Sequence, residues 1–222
     1  LNAKAKSPVG ASGLWQFMVG TGKIYGLEVN SMVDERRDPR KASDAAARFL
    51  ADLYKLYGDW HLVIAAYNCG PGNVAKALRI ANGKRNFWEI YPYLPRETRS
   101  YVPLFIAANY IMNFYEEHNM CPAVPLFSYA TDTVMISDRV HLQQIAEKVN
   151  ISLDELKFLN PQYRYDIIPG NIKPYPLVVP FEHINSYALN RDSILAYKPE
   201  LAKREIKFEP LEGAVIYHKV KS

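Results

Sequence analysis

A chain of 222 residues with 49% hydrophobic and 23% charged content exceeds one average domain and can bury a sizeable core, which excludes wholesale disorder. The net charge of +4 is mild, and Lys and Arg alternate with acids along the chain, so a nucleic-acid partner, which needs clustered cations, is disfavoured. No window reaches the roughly 18 uninterrupted apolar residues of a membrane span, and no secretory signal opens the chain.

Leu1 to Lys6 reads as the exit from an earlier element. The stretch Ser7 to Met18 mixes helical spacing with residues a plain core helix would not use. Gly10 and Gly13 lie one turn apart, so a helix starting near Pro8 would present a bare strip of backbone to a neighbouring helix or a ligand. Each glycine weakens such a helix by roughly 1 kcal/mol relative to alanine, which points to a packing or functional reason. Gln16, between Trp15 and the pair Phe17-Met18, sets a donor and acceptor amide among apolar side chains, a composition that suits a sugar site. Gly20-Thr21-Gly22 and Gly26 mark a loop, and Arg36 to Lys41, charged around Pro39, reads as a surface connection. Ser43 or Asp44 caps an amphipathic helix through Ala46, Phe49, Leu50, Leu53, Tyr54 and Tyr57, ending at Gly58.

Asp59 caps the next helix, Trp60 to Asn68, which is apolar nearly all round and therefore central. Gly70-Pro71-Gly72 breaks it, and Pro71 begins a helix over 73–81. Taken alone, Asn68-Cys69-Gly70 is only a helix stop. Phe87 to Leu94 fits a short helix or a groove wall, and a long helical pattern runs from Arg96 to Glu117, kinked or restarted at Pro103. Residues 119–129, holding Pro122 and Pro125, read as a linker. Beyond it Thr131 to Ile136 alternates as a strand, and Ser137 or Asp138 caps a helix through Leu142, Ile145, Ala146 and Val149. Ser152 with Glu155 makes a capping box for a second helix, which Asn160-Pro161 stops, and Leu177 to Pro180 supplies a closing strand. Residues 181–222 are the least legible.

Sixteen tyrosines and three tryptophans offer faces on which sugar rings stack, although any single one is as readily a core or amphipathic surface residue. Cys69 and Cys121 permit at most one disulfide and have no metal spacing. The five histidines are scattered, with no His-Glu-x-x-His, so no metal is expected; nor does a phosphate loop or a Gly-x-Ser-x-Gly elbow occur.

Three segments, in order, carry a resemblance. Ser7 to Met18 resembles the second motif of the soluble lytic transglycosylase domain, a lysozyme-like family that cuts the glycan strands of bacterial peptidoglycan. Ala66-Tyr67-Asn68-Cys69-Gly70 resembles that family's Ala-Tyr-Asn-x-Gly motif, and Glu97-Thr98-Arg99-Ser100-Tyr101-Val102 its closing Tyr motif. The Trp15-Gln16 variant with Asp34 to Pro39 is most similar to the membrane-bound type D branch. The strand, helix, helix, strand order of 131–180 resembles the LysM module, which binds N-acetylglucosamine-containing glycans, through Ile151-Ser152, Leu156, Asn160-Pro161 and Ile168-Pro169-Gly170. Two departures, Ser137-Asp138-Arg139 in place of Gly-Asp-Thr and the crowding of the last strand by Pro174 and Pro176, make the fold easier to carry over than the binding. Ile216 to Lys221 resembles the first strand of a further repeat.

The resemblance implies a mainly α chain: a lysozyme-like all-helical transglycosylase domain over 1–118, a linker at 119–130, a small α+β (βααβ) LysM-like module over 131–180, and a connection with the start of another repeat over 181–222. It implies cleavage of the bond between N-acetylmuramic acid and N-acetylglucosamine without water. A single glutamate protonates the glycosidic oxygen, then as carboxylate takes the proton of the C6 hydroxyl, which closes onto C1 as a 1,6-anhydro sugar. Gln16 and Met18 would shape the site around the acid, Tyr67 and Asn68 would bind the sugar at the scissile bond, and Tyr101 would hydrogen-bond near the glutamate. That glutamate, by family spacing, would fall roughly three positions before Leu1. The chain is thus expected to hold the groove and turn over little or nothing. Glu97 stays open between a helix N-terminal charge, an ion-pair member with Arg96 or Arg99, and a carboxylate in the cleft.

Further expectations are no cofactor, peptidoglycan glycan strands as partner, a membrane only through an anchor outside this chain, a monomer, and a bacterial periplasmic or cell-envelope location with outer-membrane anchoring. Two alternatives share the fold. One is a noncatalytic peptidoglycan- or chitin-binding protein on a degenerate scaffold; the other is a hydrolase of lysozyme type, which would leave reducing ends and needs a second well-placed acid.

Overall fold

The computed structural model describes residues 2–123, 130–203 and 205–210. The strand expected at Ile216 to Lys221 and part of the expected linker, 124–129, lie outside the described residues. Contacts gather the chain into two compact units, one of residues 1–45 with 125–216 and one of residues 46–124.

In the first unit the glycine-bearing stretch after Pro8 is not helical. Gly10, Gly13 and Gln16 take positive φ of 90°, 87° and 51°, and the chain folds back on itself through isolated bridges of Ser12 to Lys6 and to Phe17. The expected helix fails because carbonyls that would accept intrahelical bonds are claimed from outside: Arg36 Nη1 donates to Gly10 O and to Phe17 O, each at 2.9 Å. A Cβ on Gly13 would overlap the carbonyl of Arg36, so this position needs glycine for space as well as for φ. Helix α1 (Val19–Ile24) absorbs Gly20 to Gly22, where a loop was expected; at Gly22 a Cβ would stand 3.3 Å from the Arg36 stem, so the small residue admits that arginine. A single 3-10 turn, Glu35–Arg37, then leads to α2 (Pro39–Tyr57). Asp38, not Ser43 or Asp44, caps α2, its Oδ1 accepting from Arg40 N at 2.9 Å and Lys41 N at 3.0 Å. The surface connection expected from Arg36 onward instead begins in the interior, with Asp34 at 0% and Arg36 at 3% exposure.

The same unit holds β1 (Thr131–Ile136), β2 (Arg139–His141), α7 (Leu142–Val149), α8 (Leu153–Leu159), β3 (Ile167–Pro169), β4 (Tyr175–Pro180), α9 (Ile184–Leu189) and α10 (Arg191–Ala196), numbered after the helices α3–α6 of the second unit. β1 and β4 pair antiparallel, Thr131 opposite Pro180 and Ile136 opposite Tyr175, while β2 pairs with β3. His141, rather than Ser137 or Asp138, caps α7: its Nδ1 accepts from Gln143 N at 3.0 Å, and its own N donates to Gln144 Oε1 at 2.8 Å. Ser152 precedes α8 without a side-chain cap bond, so the capping box expected with Glu155 is not formed. The prolines of β4 fit because of how its outer edge is dressed. Val178 N donates to Asn160 Oδ1 at 2.8 Å and Val178 O accepts from Asn160 Nδ2 at 2.7 Å, while Tyr163 Oη donates to Pro176 O. Leu142, Ile145, Leu156, Ile168 and Leu177 form the core together with Met32 and Val33 from the N-terminal stretch.

The second unit is helical. α3 (Trp60–Cys69), α4 (Pro71–Ile80), α5 (Phe87–Ile90) and α6 (Arg96–Asn113) pack with the rest of α2 over Leu62, Val63, Ala66, Val74, Phe87 and Val102. Asp59 caps α3 as expected, its Oδ1 accepting from Leu62 N at 2.9 Å, and Gly70 at φ 85° turns the chain into α4, where Pro71 needs no N–H partner. Pro103 lies within α6, which runs on to Asn113. Among the described residues no helix is long and apolar enough to cross a membrane.

Candidate saccharide site

The end of α3 is where the second unit concentrates polar chemistry. Leu62, Val63, Ala65 and Ala66 anchor α3 in the core, which leaves Tyr67 and Asn68 to emerge in its last turn, both half-buried. Tyr67 packs on Phe49, with ring centroids 5.3 Å apart. Asn68 Oδ1 accepts from Thr98 Oγ1 at 2.8 Å, and Thr98 is itself buried in the first turn of α6. This bond orients the amide and leaves Nδ2 with no partner among the described residues. Tyr101 follows on α6, one turn along from Glu97 and Thr98.

Burial, together with the nearby Tyr101, pushes the Tyr67 phenol far above its ordinary value, and burial raises Tyr101 as well. Both therefore stay protonated donors at any physiological pH. Burial also raises the Cys69 thiol, opposed only in part by the Thr98 hydroxyl and the backbone, so Cys69 is neither a thiolate nucleophile nor a ready metal ligand. Cys69 and Cys121 are both free. Glu97 is exposed in the first turn of α6 and makes no ion pair among the described residues; Arg99 spends its guanidinium on Leu94 O at 2.9 Å and Pro92 O at 2.7 Å. Nearer the start of α3, Trp60, His61 and Ile64 face Phe105, Ile106, Asn109 and Tyr110 of α6 across a groove of about 230 Å³.

Gln16 and Met18 belong to the first unit, and both are exposed. Gln16 Nε2 folds back to Gly13 O at 2.7 Å, leaving its carbonyl oxygen turned to no partner among the described residues. Beneath this turn lies a set of charges that the sequence did not disclose. Arg36 grips Asp34 through Nε and Nη2, both at 2.8 Å, and Asp34 Oδ2 accepts a further bond from Arg164 Nη2 at 2.8 Å. Burial alone would raise the Asp34 carboxyl, but the Arg36 hydrogen bonds and the charges of Arg36, Arg164 and Arg37 outweigh it and hold the group below the usual carboxylate value. The clue in sequence is the short Asp-x-Arg spacing at 34 and 36; nothing local points to Arg164, and Thr98 is hidden inside a motif marked by its tyrosine. Among the described residues no cluster of His, Cys, Asp and Glu could hold a metal ion.

The chain is similar to known proteins along most of its length. Residues 1–90 match the model of the transglycosylase SLT domain, and residues 130–196 match that of the LysM-like domain of lytic transglycosylase MltD. Over 183 residues the chain is 34% identical to membrane-bound lytic murein transglycosylase D of Escherichia coli (strain K12), an alignment covering 81% of this chain and 40% of that protein. Over 114 residues it is 36% identical to soluble lytic murein transglycosylase of the same strain, covering 48% of this chain and 17% of that one. A solved structure of lytic transglycosylase Slt from Pseudomonas aeruginosa aligns with a TM-score of 0.41 and 26% identity, over 56% of this chain and 21% of that chain.

Proposed function

Residues 1–90 belong to the transglycosylase SLT domain family and residues 130–196 to the LysM-like domain family of lytic transglycosylase MltD, and from that premise we propose that the protein is a peptidoglycan lytic transglycosylase of the cell envelope. The chain spans about 40% of the length of the first such relative. The reaction opens the β-1,4 bond between N-acetylmuramic acid and N-acetylglucosamine. A carboxylic acid protonates the leaving oxygen, the C6 oxygen of the muramic acid bonds to C1, and the C6 hydroxyl proton passes to the carboxylate, so that no water is consumed.

The observation that carries this reading is the Asn68 amide, whose oxygen is pinned by Thr98 while its N–H groups stay open, with Tyr67 and Tyr101 adding phenols that burial keeps protonated. An uncharged set of donors on a rigid helix end suits the acetamido and hydroxyl groups of amino sugars, and it costs no reorganisation when the sugar arrives. Gln16 and Met18 are further saccharide-binding residues in this proposal, and Glu97 serves as a helix N-terminal charge.

Calorimetric titration of the 222-residue chain with a GlcNAc–MurNAc tetrasaccharide tests the site. Saturable binding that Asn68→Ala weakens by roughly ten-fold, the loss of about one well-formed hydrogen bond to a neutral group, is expected. Any muropeptide released from sacculi should end in a 1,6-anhydro sugar by mass spectrometry. Reducing ends would assign the hydrolase alternative instead.

A further inference from the structure

We propose that Arg164, which the LysM-like part of the chain contributes, is a positioning residue for the Gln16 turn, so that the LysM-like part helps shape that turn instead of merely being tied to it. The inference rests on the reading of Gln16 and Met18 as site residues.

The turn from Gly10 to Phe17 is held by bonds within it and by bonds to its neighbours, among them Gly13 N to Ala5 O at 3.0 Å and Arg37 Nε to Ser12 Oγ at 3.4 Å. Gln16 N and Nε2 both lean on Gly13 O, at 3.3 and 2.7 Å, Ser12 N reaches Phe17 O at 3.1 Å, and Trp15 Nε1 reaches Ser43 Oγ at 2.9 Å. What clamps both ends together is one nitrogen, Arg36 Nη1, bonded to Gly10 O and Phe17 O. The orientation of that guanidinium is set from its far side by the Asp34 carboxylate, held in a bidentate grip. A rigid fork is only as well aimed as the carboxylate it grips, and Asp34 is completely buried, so no water can substitute for a lost partner.

Arg164 supplies that partner. Its Nη2 bonds Asp34 Oδ2, and its backbone is brought there by strand-like pairing: Arg164 N to Met32 O and Asp34 N to Gln162 O, both at 2.9 Å, with a bridge between Val33 and Tyr163. Arg164 Nε is buried with no hydrogen bond among the described residues, so the side chain is spent on Asp34 and not shared with other acceptors through that nitrogen. Cations already outnumber the one carboxylate here, since Arg36 and Arg37 both neighbour Asp34. The contribution of Arg164 is therefore directional: it fixes how the carboxylate faces Arg36. The path runs from Arg164 through Asp34 and Arg36 to the carbonyls on either side of Gln16.

Amide exchange measured by NMR on the whole 222-residue chain tests this, with no sugar present. Arg164→Met should speed exchange of the Ser12 and Gln16 amides by roughly ten-fold, as loosening of one charge-assisted bond would, while Leu177 and Val179 in β4 keep their protection. Arg164→Lys, which retains a donor, should recover part of the protection. Unchanged exchange at Ser12 and Gln16 in Arg164→Met would overturn the proposal, as would an equal acceleration in β4, which would make Arg164 a general stabiliser of the fold. A tetrasaccharide titration of the same variant then reads the link to binding separately. Weaker binding is expected, and unchanged binding with a loosened turn would overturn the site role of Gln16 while leaving the mechanical coupling intact.

Discussion

Thr98 Oγ1 donates to Asn68 Oδ1 at 2.8 Å, and this one bond joins the first turn of α6 to the last turn of α3. Thr98 is buried, so removal of its hydroxyl leaves the Asn68 oxygen to find a new donor or go without. Thr98→Val, which keeps the shape, should cost about 1 kcal/mol in urea denaturation. It should also weaken tetrasaccharide binding, because an unpinned amide no longer presents its N–H groups in one direction. Equal affinity in Thr98→Val and the parent would show that orientation of Asn68 is irrelevant to the sugar.

Gly13 and Gly170 are held by crowding. A Cβ on Gly13 would run into the Arg36 carbonyl at a φ of 87°, and one on Gly170 would collide with the backbone carbonyls of Ile136 and Asp138. Gly13→Ala and Gly170→Ala should each destabilise the fold by at least ~2 kcal/mol, from strain plus displaced backbone. Chemical denaturation of each variant gives the number directly, and a loss within experimental error at Gly13 would mean that the turn is not packed against Arg36 as described.

Asp34 carries the argument about buried charge. Asp34→Asn removes what is, among the described residues, the only carboxylate facing Arg36, Arg37 and Arg164 in ion-pair range and leaves buried guanidinium unpaired, which should cost on the order of 3 kcal/mol. Because Asp34 has its pKa held below the usual carboxylate value, its contribution to stability is present above the ordinary pKa of 3.8 and is lost as pH falls through the lower, folded-state value. The acid limb of the unfolding curve should therefore be shallower in Asp34→Asn than in the parent, as followed by circular dichroism.

His141 should make the LysM-like part sensitive to mild acid. Its Nδ1 must be unprotonated to accept from Gln143 N, and burial lowers its pKa from the ordinary 6.5, with Asp166 opposing and Lys157 and Arg139 adding to the shift. The unfolded chain then binds the proton more readily than the folded one, so stability is full above pH 6.5 and declines as pH falls from there towards the folded-state value. His141→Asn keeps an N-cap acceptor and removes the titration. Between pH 7 and pH 5 the parent should lose about 1 kcal/mol more than this variant, a gap of roughly 2–4 °C in Tm by calorimetry. Parallel Tm profiles would discount the cap.

Where the structure follows local chemistry, the sequence was readable. The helix bounded by Asp59 and Gly70-Pro71 is specified by its own caps, and the β1 and α8 segments by their alternation and by Asn160-Pro161. The stretch before α1 was not, because its shape is imposed by Arg36, whose donors come from some twenty residues further along, and no periodicity within Ser7 to Met18 records that. His141 does not stand out as a cap because Ser137 and Asp138 are the commoner acceptors, yet β2 occupies the backbone between them and α7. The site divides in the same way. Tyr67, Asn68 and Tyr101 stand out by motif, whereas Thr98 and Arg164 act only through a neighbour and leave no signature of their own.

The dressing of β4 has a consequence for how such modules are strung together. Along its outer margin every second residue would normally offer an N–H, but Pro176 and Pro180 have none, and both backbone groups of Val178 are occupied by the Asn160 side chain. An adjoining chain or a following repeat that tried to add a strand beside β4 would find nothing to zip onto. On that side a neighbouring module must therefore dock through side chains, which leaves the backbone margin of β4 unzipped and the two free to turn against each other.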